Sequence, residues 1–272
     1  MTHRHSGFLV GVALGLAGMV PAMARAQPSS KTSDSDTRAK AIADVVAANL
    51  ILADQDVVDG YGHVSIRDPI DPTKFSMARQ VAPELVTSGD VLVHDLDGNA
   101  PAAPNVRLYS ERFIHSEIYR TRPDVTAIVH CHAPSLIVFG VNGVALQPLY
   151  HMSSFLGAGV PVFDIRKAAG GATDMLIRNP ELGCALANAL GLHPVALMRG
   201  HGAVIVGRDI QQVVFRSVYT MVNAQLQTQA LATGGKVIYL EPDEAKKAAE
   251  SNDGTLARPW ELWLRKVKGR VK

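Results

Sequence analysis

Residues 127–132 have the sequence Ala-Ile-Val-His-Cys-His, and the interpretation of the whole chain starts from this stretch. Its apolar and β-branched residues predict a buried strand, in which alternate side chains point to the same face. His130 and His132 then share one face, while Cys131 points to the other. Two imidazoles about 7 Å apart along a strand face can bind one divalent metal ion. Alone, this pattern is weak evidence, because histidine pairs also occur in strands by chance.

Two other features point to the same chemistry. His201 lies between two glycines directly after an apolar run, which is typical of backbone that approaches a site closely. A tight turn with an incidental histidine is the alternative. Glu111 lies in the first turn of a predicted helix, where an acidic side chain can simply complement the helix dipole. Each feature has an ordinary explanation, so the metal-site hypothesis depends on their occurring together.

The predicted secondary structure indicates an α/β fold. Strands are predicted at His63–Ile66, Phe75–Ala78, Val91–Leu96, Ala127–His132, Val195–Met198 and Ala203–Val206. Helices are predicted from a cap at Asp36 to Asp54, from a cap at Ser110 to Thr121, near Leu176–Leu190, from a cap at Asp209 to Ala230, and from Glu241 onward. Several strands are too close together for crossover helices. This spacing predicts one domain over residues 38–272, with a mixed central sheet covered by helices.

The first 26 residues have the features of a secretory signal peptide. A basic residue, Arg4, precedes an apolar run, and Ala24-Arg25-Ala26 provides a cleavage pattern. An uncleaved anchor helix is the alternative, and Pro21 argues against it. We expect cleavage, a flexible leader over residues 27–37, and a mature protein that is periplasmic or secreted.

Charge and cysteine content exclude several classes of protein. Removal of residues 1–26 takes away Arg4 and Arg25 but no acidic residue, which lowers the formal charge from +2 to about 0. That balance provides no basic surface for nucleic acid and no polybasic patch for a membrane. The two cysteines, Cys131 and Cys184, exclude a disulfide framework, and we expect both to be free.

Taken together, the motifs resemble the class II aldolase/adducin family. The matching stretches are Ser110-Glu111, residues 122–124 followed by residues 127–132, and Gly200-His201-Gly202. The resemblance covers most of residues 40–235. It implies a three-layer α/β/α sandwich, usually assembled as a homotetramer with sites at subunit interfaces.

The resemblance also implies roles for individual residues. His130, His132 and His201 fall on the family's metal-ligand positions. Glu111 falls on its catalytic acid/base position, which can also contact the metal when no substrate is bound. These ligands suit zinc or manganese, with iron and cobalt as alternatives. A divalent metal stabilises the oxyanion or enolate formed when a carbon–carbon bond breaks, and a nearby carboxylate moves the proton.

The sequence departs from the sugar-phosphate aldolases where those enzymes bind phosphate. The corresponding positions here are Gly62-His63, Ala78-Arg79 and Tyr109-Ser110. The cationic or aromatic side chains of Arg79 and His63 suit a carboxylate on a planar substrate. We therefore predict that His63, Arg79 and Ser110 bind the substrate. A solvated charge at a strand end is the alternative for Arg79.

A second proton-transfer group is predicted at His151. The aldolases use a tyrosine from the neighbouring subunit at about this position, and a histidine can perform the same transfer near neutral pH. Tyr150, one residue earlier, is the alternative. The motifs at residues 62–65, 130–135, 151–156 and 198–202 are most similar to the branch with 3-hydroxy-2-methylpyridine-4,5-dicarboxylate 4-decarboxylase and dihydroxyphthalate decarboxylases.

The leading hypothesis is therefore a metal-dependent decarboxylase of a hydroxy-aromatic or similar carboxylate. Glu111 or His151 would protonate the ring carbon, while Arg79 and His63 would hold a second carboxylate. One alternative is an aldolase that cleaves a small, non-phosphorylated hydroxycarbonyl substrate and releases an aldehyde. An iron oxygenase, whose reaction would require oxygen, is another. A non-catalytic exported metal-binding module, in which Glu111 would be dispensable, is the third.

Overall fold

A single mixed sheet organises residues 33–270, the part of the chain that the computed structural model describes. Its seven strands are β1 (His63–Arg67), β2 (Lys74–Ala78), β3 (Val91–Asp95), β4 (Ala127–Cys131), β5 (Val162–Phe163), β6 (Val195–Met198) and β7 (Gly202–Gly207). The order is β3-β2-β1-β4-β7-β6-β5, and only β5 and β6 pair in parallel. The mixed sheet predicted from the strand spacing is confirmed.

Helices cover both faces of this sheet. They are α1 (Asp34–Asp54), α2 (Arg112–Thr121), α3 (Pro134–Val141), α4 (Ile165–Ala169), α5 (Pro180–Leu190), α6 (Ile210–Ala232), α7 (Pro242–Asp253) and α8 (Ala257–Val267). Short 3-10 helices lie at Pro83–Leu85, Ser88–Asp90, His151–Ala158 and Lys268–Arg270. No helix among residues 33–270 is both long and apolar enough to cross a bilayer.

Alternation along each strand assigns its side chains to one of two helical layers. In β4, Val129 and Cys131 pack in a core with residues of α1 and α6 such as Leu50. Ile128 points to the opposite face and packs in a second core with residues of α2 and α5 such as Ile118. The three-layer α/β/α sandwich that the resemblance implied is therefore confirmed. His130 follows the alternation of Ile128 and faces the same layer as α2.

Two predicted helix starts are wrong, one at α1 near the N-terminus of the domain and one at α2. Ser33, not Asp36, caps α1, because its side chain accepts the Asp36 backbone N–H. Residues 34–37, predicted as leader, are therefore helical, while the predicted signal peptide and residues 27–32 lie outside the described residues. At α2, no side chain caps the helix, and the residue in the cap position is Glu111 instead of Ser110.

The helix predicted near residue 176 begins later, at Pro180. The Asn179 side chain caps α5 by accepting the Leu182 backbone N–H, so residues 176–178 form a loop instead of a first helical turn. The cap at Asp209 is confirmed, since its side chain accepts the Gln212 backbone N–H. Cys131 and Cys184 are both free, as expected.

His94 is a buried histidine on β3 that the site does not use. Its Nδ1–H donates to the Leu92 carbonyl at 3.1 Å, its ring stacks on Phe75, and its Nε2 has no partner among the described residues. Burial lowers the pKa of His94 to about 4. Protonation of Nε2 would add a second N–H to the ring, and this N–H would be buried without an acceptor. The charged form is therefore disfavoured, which explains why the pKa is lowered.

We expect stability to fall as the pH drops from about 6.5 to 4. In this window the unfolded chain protonates His94 while the folded chain does not, so the unfolded state binds more protons and gains stability. The difference in pKa corresponds to a loss of roughly 3 kcal/mol from this residue. His94→Phe, which retains the stacking, should flatten the dependence in denaturant titrations. An unchanged slope in His94→Phe would contradict the assignment.

Candidate metal centre

Four side chains from three parts of the chain converge at one end of the sheet: Glu111, His130, His132 and His201. Their potential ligand atoms all lie within 4.8 Å of one another. His130 lies on β4, and His132 follows directly after the strand. His201 lies in the turn before β7, which pairs antiparallel with β4. The end of β4 therefore meets the start of β7, and this pairing brings His132 and His201 together.

The turn that carries His201 depends on its glycines. Gly200 adopts φ +64°, in the left-handed region that favours glycine. At Gly202, a Cβ atom would lie 2.0 Å from the Cys131 carbonyl oxygen. Only glycine therefore permits β7 to begin against the end of β4. The close backbone approach predicted for this turn is confirmed.

Four of the six distances within the cluster are close to those between neighbouring ligands of one metal ion. His132 Nε2 lies 3.0 Å from Nε2 of both His130 and His201. Glu111 Oε2 lies 3.6 Å from His130 Nε2 and 3.5 Å from His201 Nε2. An ion with ligand bonds of about 2.0–2.1 Å separates tetrahedral ligands by about 3.3 Å. The four groups are thus close enough together to hold a single ion.

The arrangement of the rings also favours a cation. His130 Nδ1 lies 3.1 Å from the Ala203 carbonyl and must donate to it, which leaves His130 Nε2 to face the cluster. Burial, together with His130 and His201, lowers the pKa of His132 to about 4. Three imidazole nitrogens and a carboxylate oxygen this close together are the donor set that a divalent ion takes in proteins. The residues present therefore fit a divalent metal ion.

Glu111 is held from both sides. Its Oε1 accepts the Ile177 backbone N–H at 2.9 Å, while its Oε2 faces the histidines. Burial favours the neutral acid, but hydrogen bonding and charge interactions with His130 and His201 outweigh it and hold the pKa of Glu111 well below its usual range. Glu111 is therefore ionised, the state that either a metal ligand or a proton acceptor requires.

A cavity of about 660 Å³ opens beside the cluster. Of the predicted substrate-binding residues, His63 and Ser110 line it. Burial, His115 and His130 lower the pKa of His63 well below its usual value, so its ring is neutral. The other residues that present polar or aromatic groups to the cavity are Tyr61, Gln80, Arg107, Tyr109 and Arg178.

Two predicted site residues lie away from this cavity. Arg79 pairs with Asp90 at 2.7 Å, and Asp90 in turn accepts hydrogen bonds from Thr87, so the arginine belongs to a local network at the end of β2. His151 is exposed, and neither it nor Tyr150 lines the cavity of its own chain. The His151 carbonyl accepts a hydrogen bond from Asn252 instead.

Sequence comparison assigns the family. The family model described as the class II aldolase and adducin N-terminal domain matches residues 43–228. The chain belongs to the class II aldolase and adducin family. It is 38% identical over 242 residues to decarboxylase tropJ of Talaromyces stipitatus, a match that covers 80% of this chain and 90% of that protein.

Of two further relatives of this class II aldolase family member, one bears on its function and the other on its fold. The 3,4-dihydroxyphthalate decarboxylase of Arthrobacter keyseri is 31% identical over 220 residues, covering 73% of this chain and 82% of that protein. The structure of L-fuculose 1-phosphate aldolase from Glaciozyma antarctica matches with a TM-score of 0.71 over 90% of this chain and 97% of that chain. At 22% identity, that match shows the fold alone. Together, the relatives support an enzyme of the lyase class.

Arg178 was not predicted at the cavity, because residues 176–190 were predicted to be helical. The signal that corrects it is Asn179-Pro180, a cap residue followed by a proline at the first helical position. The analysis also missed His115 and Tyr119, which share one face of α2 with Glu111 at spacings of four residues. In this class II aldolase domain, that face of α2 points toward β1 and the cluster.

Proposed function

We propose that this chain is a metal-dependent carbon–carbon lyase that decarboxylates a hydroxy-aromatic or similar carboxylate. The observation that carries the proposal is the convergence of Glu111, His130, His132 and His201 beside a cavity with polar, aromatic and cationic walls. The decarboxylase relatives support carbon dioxide release over aldol cleavage. An aldolase that acts on a hydroxycarbonyl compound remains the second candidate, because the fold is shared with a sugar-phosphate aldolase.

His130, His132 and His201 would hold the metal, with Glu111 as a fourth ligand or adjacent base. Zinc or manganese suits these donors, and iron or cobalt is an alternative. When bound, a divalent ion supplies positive charge that stabilises the negative charge developing on the substrate as carbon dioxide leaves.

Glu111 would move the proton. As an ionised carboxylate fixed by the Ile177 N–H, it can accept the proton of a substrate hydroxyl at Oε2. When the bond between the ring carbon and the carboxylate breaks, its electron pair stays on the ring, and carbon dioxide leaves. Glu111 then gives its proton to that carbon, and the product oxygen regains a proton from solvent. Hydrogen thus replaces the carboxylate, with no change in oxidation state that needs another reactant.

Arg178 is the better candidate than Arg79 for binding a second substrate carboxylate. Leu176 and Arg178 both line the cavity, while Ile177 between them is fully buried and donates its N–H to Glu111. Consecutive Cα atoms are about 3.8 Å apart, so the Arg178 side chain reaches a molecule bound at Glu111. Its present partner, Asp174, is half exposed, as is Arg178 itself. Exposed ion pairs contribute about 0–1 kcal/mol, so a substrate carboxylate can replace Asp174.

We expect Arg178→Gln to lower kcat/KM for hydroxy-aromatic dicarboxylates by about 10- to 100-fold, the contribution of a hydrogen bond to a charged group. The same change should have little effect on monocarboxylates, which lack the second anion. Steady-state rates of carbon dioxide release on both substrate classes measure this. Arg166→Gln, at an exposed arginine paired with Asp164, is the control. A selective loss in Arg79→Gln instead would restore the original assignment.

Assembly and location complete the proposal. His151 is exposed and lies outside the cavity of its own chain, so it would act as a proton donor only in the site of a neighbouring copy. A homotetramer would provide that arrangement, with Tyr150 as the alternative donor. Export of the protein, with cleavage of the signal peptide, would place the reaction in the periplasm or outside the cell.

The function is tested by carbon dioxide release from a panel of hydroxy-aromatic mono- and dicarboxylates. Protein without residues 1–26 would be reconstituted separately with zinc and manganese. Release that depends on added metal supports the proposal. Aldehyde from hydroxy-keto acids, without carbon dioxide release from the panel, would instead identify an aldolase.

A further inference from the structure

A buried row of polar side chains lies beneath His63. His63 and Ser65 are two residues apart on β1, so their side chains point to the same face of the sheet. His63 lies opposite the metal-ligand candidate His130 in the antiparallel pairing of β1 with β4. From the helical layer below, α2 presents His115 and Tyr119 to the same face of β1. Strand and helix thus supply two residues each to one row.

These four side chains form a continuous hydrogen-bonded chain. His63 Nδ1 lies 2.6 Å from His115 Nε2, and His115 Nδ1 lies 2.6 Å from Ser65 Oγ. Ser65 Oγ lies 2.8 Å from the Tyr119 hydroxyl, which also contacts the Thr126 carbonyl at 3.4 Å. His63 is 4% exposed, Tyr119 is 2% exposed, and Ser65 and His115 are fully buried. Water therefore does not compete for these bonds.

The chain couples the state of His63 to residues that never reach the cavity. Each bond between two neutral groups contains one proton, so a proton on His115 Nδ1 requires His63 to donate from Nδ1. His63 Nε2 then offers a lone pair to the cavity. With the opposite direction of donation, His63 Nε2 offers an N–H. The bond between His63 and His115, with His115 held in turn by Ser65, also fixes the orientation of the His63 ring. This ring lies between those of Tyr109 and His130, whose centroids are 4.7 and 5.0 Å away.

We propose that Ser65, His115 and Tyr119 are positioning residues that orient His63 as a group that binds the phenolic oxygen or carboxylate of the substrate. This inference rests on the proposed function for its substrate class. The three residues touch neither the cavity nor the cluster of metal ligands, so they act only through His63. Their contribution should consequently disappear when His63 is absent.

A double-mutant cycle tests this dependence. We expect Ser65→Ala and Tyr119→Phe each to lower kcat/KM by about 5- to 10-fold, the effect of losing one hydrogen bond between neutral groups. In a His63→Ala background, neither change should cause a further loss. Ser116→Ala is the matched control, since this buried hydroxyl lies next to His115 on α2 and has no partner among residues 33–270. If the losses multiply in the double variants, the role is merely structural and the inference is overturned.

Nitrogen-15 NMR of the imidazoles in zinc-loaded protein gives a readout without turnover. Tyr119→Phe should shift the tautomer populations of His63 and His115 while zinc content stays that of the wild type. Ser116→Ala should shift neither. Unchanged His63 signals in Tyr119→Phe would overturn the inference.

Failure of the proposed function can be told apart from failure of this inference. If the wild type releases no carbon dioxide from any substrate, the decarboxylase proposal fails. The same cycle would then be run on the Kd of salicylate for zinc-loaded protein. Losses that disappear without His63 would support the positioning role, and losses that multiply, or an absence of salicylate binding, would overturn it.

Discussion

Replacement of Glu111 by glutamine should reduce carbon dioxide release by about 10²- to 10⁴-fold while the protein still binds metal. Glutamine keeps an oxygen that can accept the Ile177 N–H, so the loop and cavity should retain their shape. It removes the negative charge and the ability to accept a proton at the atom that faces His130 and His201. The three histidines remain as metal ligands. Rates at saturating substrate and metal content per chain are the two measurements.

Glu117→Gln provides a matched control for this change. Glu117 lies on the same helix, α2, and is 5% exposed, but its carboxylate pairs with Arg120 and does not line the cavity. The control should retain the wild-type rate. If Glu111→Gln also retains it, Glu111 is not the proton-transfer group, and another residue moves the proton. If the rate falls only because metal is lost, Glu111 is a ligand and not the base.

The convergence of the three histidines was predictable because they lie on or directly beside regular, closely paired strands. Strand alternation placed His130 and His132 on one face, and the glycines beside His201 required a close approach that the structure confirms at Gly202. The antiparallel pairing of β4 with β7 then brings these elements together. Local sequence therefore indicated which histidines would converge, whereas their proposed role as ligands came from the family resemblance.

The cavity walls were less predictable, because their residues depend on loop conformation and tertiary partners. Arg79 pairs with Asp90 across a turn, and the sequence around Arg79 does not predict this contact. Arg178 reaches the cavity only because α5 starts at Pro180 and leaves an extended loop tied to Glu111. His115 bridges two residues of β1 that lie about 50 positions away, a contact that helix periodicity alone cannot identify.

Removal of the metal should abolish activity, and His130→Ala should reproduce this loss permanently. His130 is fully buried, and its Nδ1–H bond to the Ala203 carbonyl orients Nε2 toward the cluster, where it would bind the metal. Loss of this ligand should weaken metal affinity by more than about 100-fold and reduce carbon dioxide release to background. Chelator should lower the melting temperature of the wild type, since a ligand that binds only the folded state stabilises it, but not that of His130→Ala.

Replacement of the fully buried His130 by alanine can also destabilise the sheet. His132→Gln is therefore tested as a second variant. His132 follows the end of β4 and is only partly buried, so its replacement should spare the fold while still removing a ligand. His193→Ala, at a histidine outside the cavity, should keep both metal and activity. Zinc or manganese added back to chelated wild type should restore the rate, whereas neither should rescue His130→Ala. Full activity in chelated wild-type protein that retains no metal would refute metal dependence. The negative charge left on the ring as carbon dioxide departs would then have to be stabilised by Arg178 and Arg107 at the cavity wall.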